Sequence, residues 1–303
     1  MDKTFLELIM EKTAFPKEAA EELSRCFGVI SENYSEQFLS AVKKVKADSF
    51  DTENTAEAVA QLAEISGIHI HTVWLLVIIQ CAKTVREEYS SRGIDEQIYW
   101  DTMTDLRYKL MECKDVHGVW GNASPGWFKT FFTCDIFKLG RLEFQNCPYY
   151  FDVPYTFGDI KLFKGCDLPV KAIHIPAAPE SFGHEARMDA YRKAYEFFRP
   201  QLNGAPLVCT CSSWLLYPEY KKILPSTSNI VSFMDDFDII DINPQEKFLD
   251  AWRIFGADHG KPTEELPEKT SMQRIFKQHL LNGGKIGRAC GVLIFDGEKI
   301  INI

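Results

Sequence analysis

Val170-Lys-Ala-Ile-His-Ile-Pro-Ala-Ala-Pro-Glu-Ser-Phe-Gly-His184 decides how the second half of this chain folds. Val170 to Ile175 is a short apolar run of strand character. Pro176 to Gly183, with two prolines and a glycine, reads as a loop. From His184 to Phe198, the residues Arg187, Tyr191, Ala194, Tyr195 and Phe198 fall along one side of a helix. That helix should stop at Arg199-Pro200, because a residue before proline is pushed out of the helical region. The unit is therefore strand, loop, helix start. The unpaired N–H groups of a helix start attract anionic groups such as phosphates. His174, at the strand end, is placed to take a proton from a substrate held beside such an anion. On spacing alone, the preferred reading of the same histidine is a satisfied side chain on a strand.

Around this unit lie further strand-like runs at Leu139–Phe144, Tyr149–Phe157 and Pro206–Cys211. Asn229 to Ile242 reads as a long strand, with helices expected at Gln245–Phe255 and Thr270–Asn282. Thr270 and Gln273 have the spacing of a capping box. The chain closes on Ile286–Phe295, Asp296-Gly297 and Glu298–Ile303, where Asp-Gly between apolar runs signals a hairpin. The first ~115 residues have helical periodicity instead. Pro16 opens a helix expected to stop at Gly28. Phe38, Leu39, Val42 and Val45 form a stripe, and Val59, Leu62 and Ile65 lead to Gly67. Val73 to Cys81 reads as a helix buried on most sides, and Asp95 to Cys113 as the last helix. Gly118 to Trp127 is turn-rich and aromatic. The expected architecture is α/β, an α+β mixed sheet preceded by an all-helical domain, with domains at 1–130 and 131–303.

Composition narrows the function. The chain has 303 residues, 34 Lys plus Arg and 43 Asp plus Glu, for a net charge of −9. Phosphate backbones repel such an anion, so no nucleic-acid partner is expected. Gln61 to Val73 resembles a helix-turn-helix, but its second helix would offer Trp74-Leu-Leu-Val-Ile-Ile to base edges, which is core chemistry. The longest apolar run is far short of the ~20 residues that span a bilayer, so no membrane partner is expected. Nine scattered cysteines and no leader-like start point to reduced thiols in a cytoplasm. His69-x-His71 and Cys209-x-Cys211 are the close metal-ligand pairs, and neither has a second pair, so no metal is expected. Asp235, Asp236, Asp238 and Asp241 lack a cation-loop signature. Cys209, Cys211, Ser212 and Ser213 end a strand, where a nucleophile with His174 as base would sit, but no nucleophile elbow is present.

Gly140-Arg-Leu-Glu-Phe144, Ala172-Ile-His-Ile-Pro176, Cys211-Ser-Ser-Trp-Leu-Leu216, Ser228-Asn-Ile-Val231 and Thr270-Ser-Met-Gln-Arg274 occur in order. These blocks resemble the GNAT-like C-terminal domain of bacterial acyltransferase-domain proteins, which follows a helical N-acyltransferase N-terminal domain. The resemblance covers most of the chain. It implies an acyl-CoA co-substrate, a small-molecule acceptor such as an amine, and direct attack on the thioester. It implies His174 or Glu143 as base and Tyr217 as acid, with Tyr220 as the other tyrosine option. It also implies donor binding by Ile175, Pro176, Ala177, Ser181 and Gly183, with Cys211 and Ser213 on a strand that splays away. Trp214 to Leu224 would be the next helix. One departure stands out. The usual R/Q-x-x-G-x-G/A loop is replaced by Pro176-Ala-Ala-Pro-Glu-Ser-Phe-Gly183, with one glycine, two prolines lacking N–H donors, and the acidic Glu180. A GNAT-shaped module that binds a ligand or protein without catalysis is the alternative this departure favours. Gly283-Gly284-Lys285-Ile-Gly287-Arg288 follows a helix rather than opening one, which makes it a weak phosphate site.

Overall fold

A computed structural model describes residues 1–47, 50 and 52–303, which fall into two compact units, Met1–Phe137 and Lys138–Ile303.

The first unit is helical: α1 (Lys3–Lys12), α2 (Lys17–Asn33), α3 (Ser35–Ala47), α4 (Ala56–Ser66), α5 (Ile70–Ser91), α6 (Glu96–Met103), α7 (Asp105–His117) and α8 (Lys129–Phe132). The central element is α5, packed by each of the other helices. Val73 through Ile79 are buried without interruption, so a would-be recognition helix is core. Gly67 ends α4 in the left-handed region, and α4 and α5 meet at 119°. Among the described residues, no single helix is long and apolar enough to cross a membrane. Two expectations change. α2 runs through Gly28 to Asn33, because Cys26, Phe27 and Ile30 continue its buried face. The single helix expected over 95–113 is two, divided at Thr104.

The second unit is built on a six-stranded sheet of order β1-β2-β5-β6-β8-β7. Its strands are β1 (Ile136–Leu139), β2 (Leu142–Asn146), β5 (Val170–His174), β6 (Leu207–Ser213), β7 (Asp238–Gln245) and β8 (Ile286–Phe295). β3 (Tyr155–Phe157) and β4 (Ile160–Leu162) form a separate two-stranded ribbon. β5 and β6 are parallel, and β2–β5, β6–β8 and β7–β8 are antiparallel. Val170, Val208, Val292 and Ile294 lie on one face and pack with Tyr149 and Leu162. The other face carries α9 (His184–Leu202). There, Lys171 Nζ lies 4.2 Å from the Phe198 ring centroid and 2.7 Å from Gln201 Oε1. α10 (Asn229–Met234), α11 (Trp252–Phe255) and α12 (Ser271–Leu281) complete the unit.

Several elements of this unit differ from expectation. α9 passes through Pro200 and ends at Leu202, with Asn203 left-handed at its C-cap; Phe198 and Leu202 are both buried, and that burial carries the last turn past the proline. The strand expected over 229–242 is α10 followed by β7. Ser228 caps the helix, accepting from the Ile230 N–H, and the strand starts only at Asp238. Leu139–Phe144 is divided by a turn at Gly140, whose φ is +70°. A Cβ there would stand 3.2 Å from Ala190 Cα. In Tyr149–Phe157, the strand is confined to Tyr155–Phe157. Residues 214–222 form two 3₁₀ turns, Trp214–Leu216 and Pro218–Lys222, instead of an α-helix. The helix expected over 245–255 is reduced to α11. The Thr270–Gln273 capping box is present in full. After β8, the chain turns back and pairs through a single bridge, Phe295 to Ile300.

Candidate active site

β5 and β6 pair from Val170 to Ala172 against Val208 to Thr210. Beyond that point, β5 follows β2 to His174 while β6 follows β8 to Ser213. Each strand is drawn toward its other neighbour, so the two part at their C-terminal ends. Ligands of α/β sheets sit at such ends.

Glu143 and His174 are direct cross-strand partners in the β2–β5 register, so both side chains leave the same face. Glu143 is 1% exposed and His174 half-buried. Gln145 lies on the same face and places Oε1 2.8 Å from His174 Nε2. The register continues this face through Ala172, Thr210 and Ser212. Ser212 is exposed and stands opposite Cys290, to whose thiol it hydrogen-bonds. A carboxylate, an imidazole and two hydroxyl side chains thus line the face where the strands part.

Cys209, Cys211 and Ser213 point to the other face. Burial pushes the Cys209 and Cys211 thiols up, so neither is poised as a thiolate. Ser213 Oγ accepts from the Leu215 N–H at 3.1 Å and caps the first 3₁₀ turn. Tyr217 is buried at the junction of the two turns, its ring 5.2 Å from that of Tyr220. The Tyr217 ring packs by Gly287 of β8, and Tyr220 Oη accepts from Gly287 N at 3.3 Å. A Cβ at Gly287 would stand 2.6 Å from the Tyr217 ring and 2.5 Å from Asn243 O, so that position accepts only glycine. Burial raises both phenols, Tyr220 to about 12, which keeps both protonated near neutrality. His174 and Glu143 are therefore cross-strand partners, while Tyr217 follows β6 between the two 3₁₀ turns.

The loop after β5 is held from beneath. Arg141, in the turn just before β2, donates from Nη1 to Pro176 O (3.0 Å), from Nη2 to Ala178 O (3.3 Å) and from Nε to Glu180 O (3.2 Å). Arg187 of α9 donates to Phe182 O at 2.9 Å. The Phe182 ring lies 5.2 Å from the Arg141 guanidinium and 5.6 Å from that of Arg187. Arg187 is fully buried, and Asp236 takes its Nε at 2.6 Å and its Nη2 at 3.1 Å. Tyr191 donates to the same carboxylate at 2.8 Å. Gly183 caps α9 without a side-chain acceptor, which leaves first-turn N–H groups for another partner. Ser181 Oγ accepts from Gly183 N at 3.1 Å, and the Glu180 side chain is exposed. The strand, loop and helix start thus offer backbone donors to an anion despite the missing glycines.

A family model described as the GNAT-like C-terminal domain matches residues 136–293, and one described as the N-acyltransferase N-terminal domain matches residues 4–134. The chain belongs to this family. Its GNAT-like domain contains every residue of the candidate site. One solved structure similar to the chain is an acyltransferase in complex with decanoyl-CoA and teicoplanin, with 20% identity and a TM-score of 0.71 over 95% of this chain and 87% of that one. Another is an acyltransferase in complex with decanoyl-CoA, with 18% identity and a TM-score of 0.62 over 97% of this chain and 100% of that one. At these identities the likeness shows a shared fold. No curated protein matches the chain.

Gln145, Arg141 and the Arg187–Asp236 pair were not singled out by the sequence reading. Gln145 was within reach, since it lies two residues past Glu143 on a strand and so shares its face. Arg141 stands inside a family block, but nothing in the sequence pairs it with a loop 35 to 39 residues away. Among the described residues, no group of three or more His, Cys, Asp or Glu is arranged to hold a metal ion. His69, His71 and His117 of the helical unit do lie close, with successive ring centroids 4.8 and 4.9 Å apart.

Proposed function

We propose that the GNAT-like domain transfers an acyl group from acyl-CoA to an amine or similar small nucleophile. The observation that carries this reading is the parting of β5 and β6 beyond Ala172 and Thr210, with the Glu143–His174 pair on the open face. The pantetheine arm enters between the parted strands. The donor phosphates meet the 176–183 loop and the first turn of α9. His174, oriented by Gln145, or Glu143 takes the proton as the nucleophile adds to the thioester carbonyl. The new bond to carbon forms, the C–S bond breaks, and Tyr217 returns a proton to the departing thiolate. The two acyltransferase neighbours described with decanoyl-CoA support a medium-chain donor, and the one described with teicoplanin supports a glycopeptide-like acceptor.

The test is the thermal midpoint with and without acetyl-CoA and decanoyl-CoA, followed by turnover of amine acceptors. A donor at 100 times its Kd adds about 2.7 kcal/mol of stability. His174→Ala should lower kcat by roughly 10²–10⁴-fold while keeping that shift, and Tyr217→Phe should lower kcat in the same sense. A midpoint that no CoA ester moves would remove the acyl-CoA reading and leave the non-catalytic binding module.

A further inference from the structure

We infer that Arg141 is the positioning residue of the donor-phosphate loop, substituting for the glycines that the loop lacks. The inference rests on the acyl-CoA reading above and deepens it. Glycines let a loop curl so that successive N–H groups converge on an anion. Pro176-Ala-Ala-Pro-Glu-Ser-Phe-Gly183 has one glycine, and that glycine is not left-handed. It reaches the same end by another route. The carbonyls of Pro176, Ala178 and Glu180 turn to Arg141, and that of Phe182 turns to Arg187. In a trans peptide, the carbonyl of one residue and the N–H of the next point in opposite directions. All peptide bonds among the described residues are trans. The N–H groups of Ala177 and Ser181 are therefore turned away from the guanidinium groups, while that of Gly183 donates to Ser181 Oγ at 3.1 Å. The Ala178–Pro179 peptide carries no N–H.

Two consequences follow for an anion. Four carbonyl oxygens of the loop, those of Pro176, Ala178, Glu180 and Phe182, are held by positive charge away from a phosphate on the other side. The donors face the opposite side, where Ala177 and Ser181 are exposed, and the loop runs directly into the first turn of α9. Lysine cannot replace Arg141, since an ammonium is a point charge and not a planar fork reaching carbonyls on three different residues. The Phe182 ring, flanked by both guanidinium groups, keeps the loop seated over them.

The test compares decanoyl-CoA with decanoyl-pantetheine, which lacks the nucleotide and pyrophosphate, by thiol release in the wild type, Arg141→Lys and Phe182→Leu. Arg141→Lys should raise KM for decanoyl-CoA at least tenfold, with kcat within about threefold and the decanoyl-pantetheine KM unchanged. Phe182→Leu changes a side chain only partly buried and keeps both arginines. It should move the same ratio of KM values by about threefold in the same direction. A ratio left at the wild-type value in either variant, or an equal loss with both donors, would overturn the inference while the acyl-CoA reading stands. A wild-type protein that binds no CoA ester would fail the reading first, and the inference with it.

Discussion

Lys171 shows what a single side chain contributes and costs in this fold. It is 2% exposed beneath the sheet, where Asn146 Oδ1 and Gln201 Oε1 take its ammonium at 2.6 and 2.7 Å. Both acceptors are neutral amides, and burial lowers its pKa to about 8. An unfolded chain binds that proton up to about pH 10.4. Between pH 8 and 10.4 the unfolded state therefore holds more protons than the native state, and stability rises with pH. Below pH 8 the cost of the buried charge is constant. Against Lys171→Met, the unfolding free energy of the wild type should climb by about 3 kcal/mol across that window, read by denaturant titration at several pH values. A flat difference would mean that Lys171 titrates as an exposed lysine. Legibility at this scale was uneven. His174 and Glu143 were visible as separate options, but their pairing depends on strand register, which local sequence does not encode. Arg141 and Asp236 were invisible as site-builders for the same reason, since their partners are remote in the chain.

Elements were legible where local chemistry and tertiary packing agree. The Thr270 box is the clear case. Thr270 Oγ1 accepts from Gln273 N at 3.1 Å, and Gln273 Oε1 accepts from Thr270 N at 3.2 Å. Thr270→Ala should cost about 1 kcal/mol, measured by chemical denaturation, with Thr270→Ser recovering most of it. Where packing opposes the local signal, packing wins. Gly28 fails to stop α2 because the buried stripe continues to Ile30. Pro200 fails to stop α9 because Phe198 and Leu202 are buried on either side of it. α10 was hidden for a different reason. Asn229 to Met234 is too short for helical periodicity to show, and its cap at Ser228 lies next to residues that read equally well as strand. That helix matters to the candidate site, because Ser232 and Asp236, on and just past it, fix Arg187 and so the end of the 176–183 loop.

For the whole molecule, the question is which unit the donor occupies. Loop, strand ends and tyrosines all belong to Lys138–Ile303, so the reading places donor contacts on three separated stretches of one unit. These are Arg141–Asn146, Val170–Arg187 and Leu207–Tyr217. The net charge of −9 disfavours approach of a polyanionic donor at long range, so on the proposed reading binding rests on local backbone donors. Hydrogen exchange with saturating decanoyl-CoA separates this from any alternative. Backbone amides of the loop and first turn of α9 should slow most, since they receive the phosphates directly. The ends of β5 and β6 should slow next, as the arm lies between them. In Arg141→Lys, the loop should lose that protection while the strand ends keep theirs, because the arm still binds. Donor-induced protection centred on α5, among helices whose core needs no ligand to be filled, would instead move the donor site out of the GNAT-like domain.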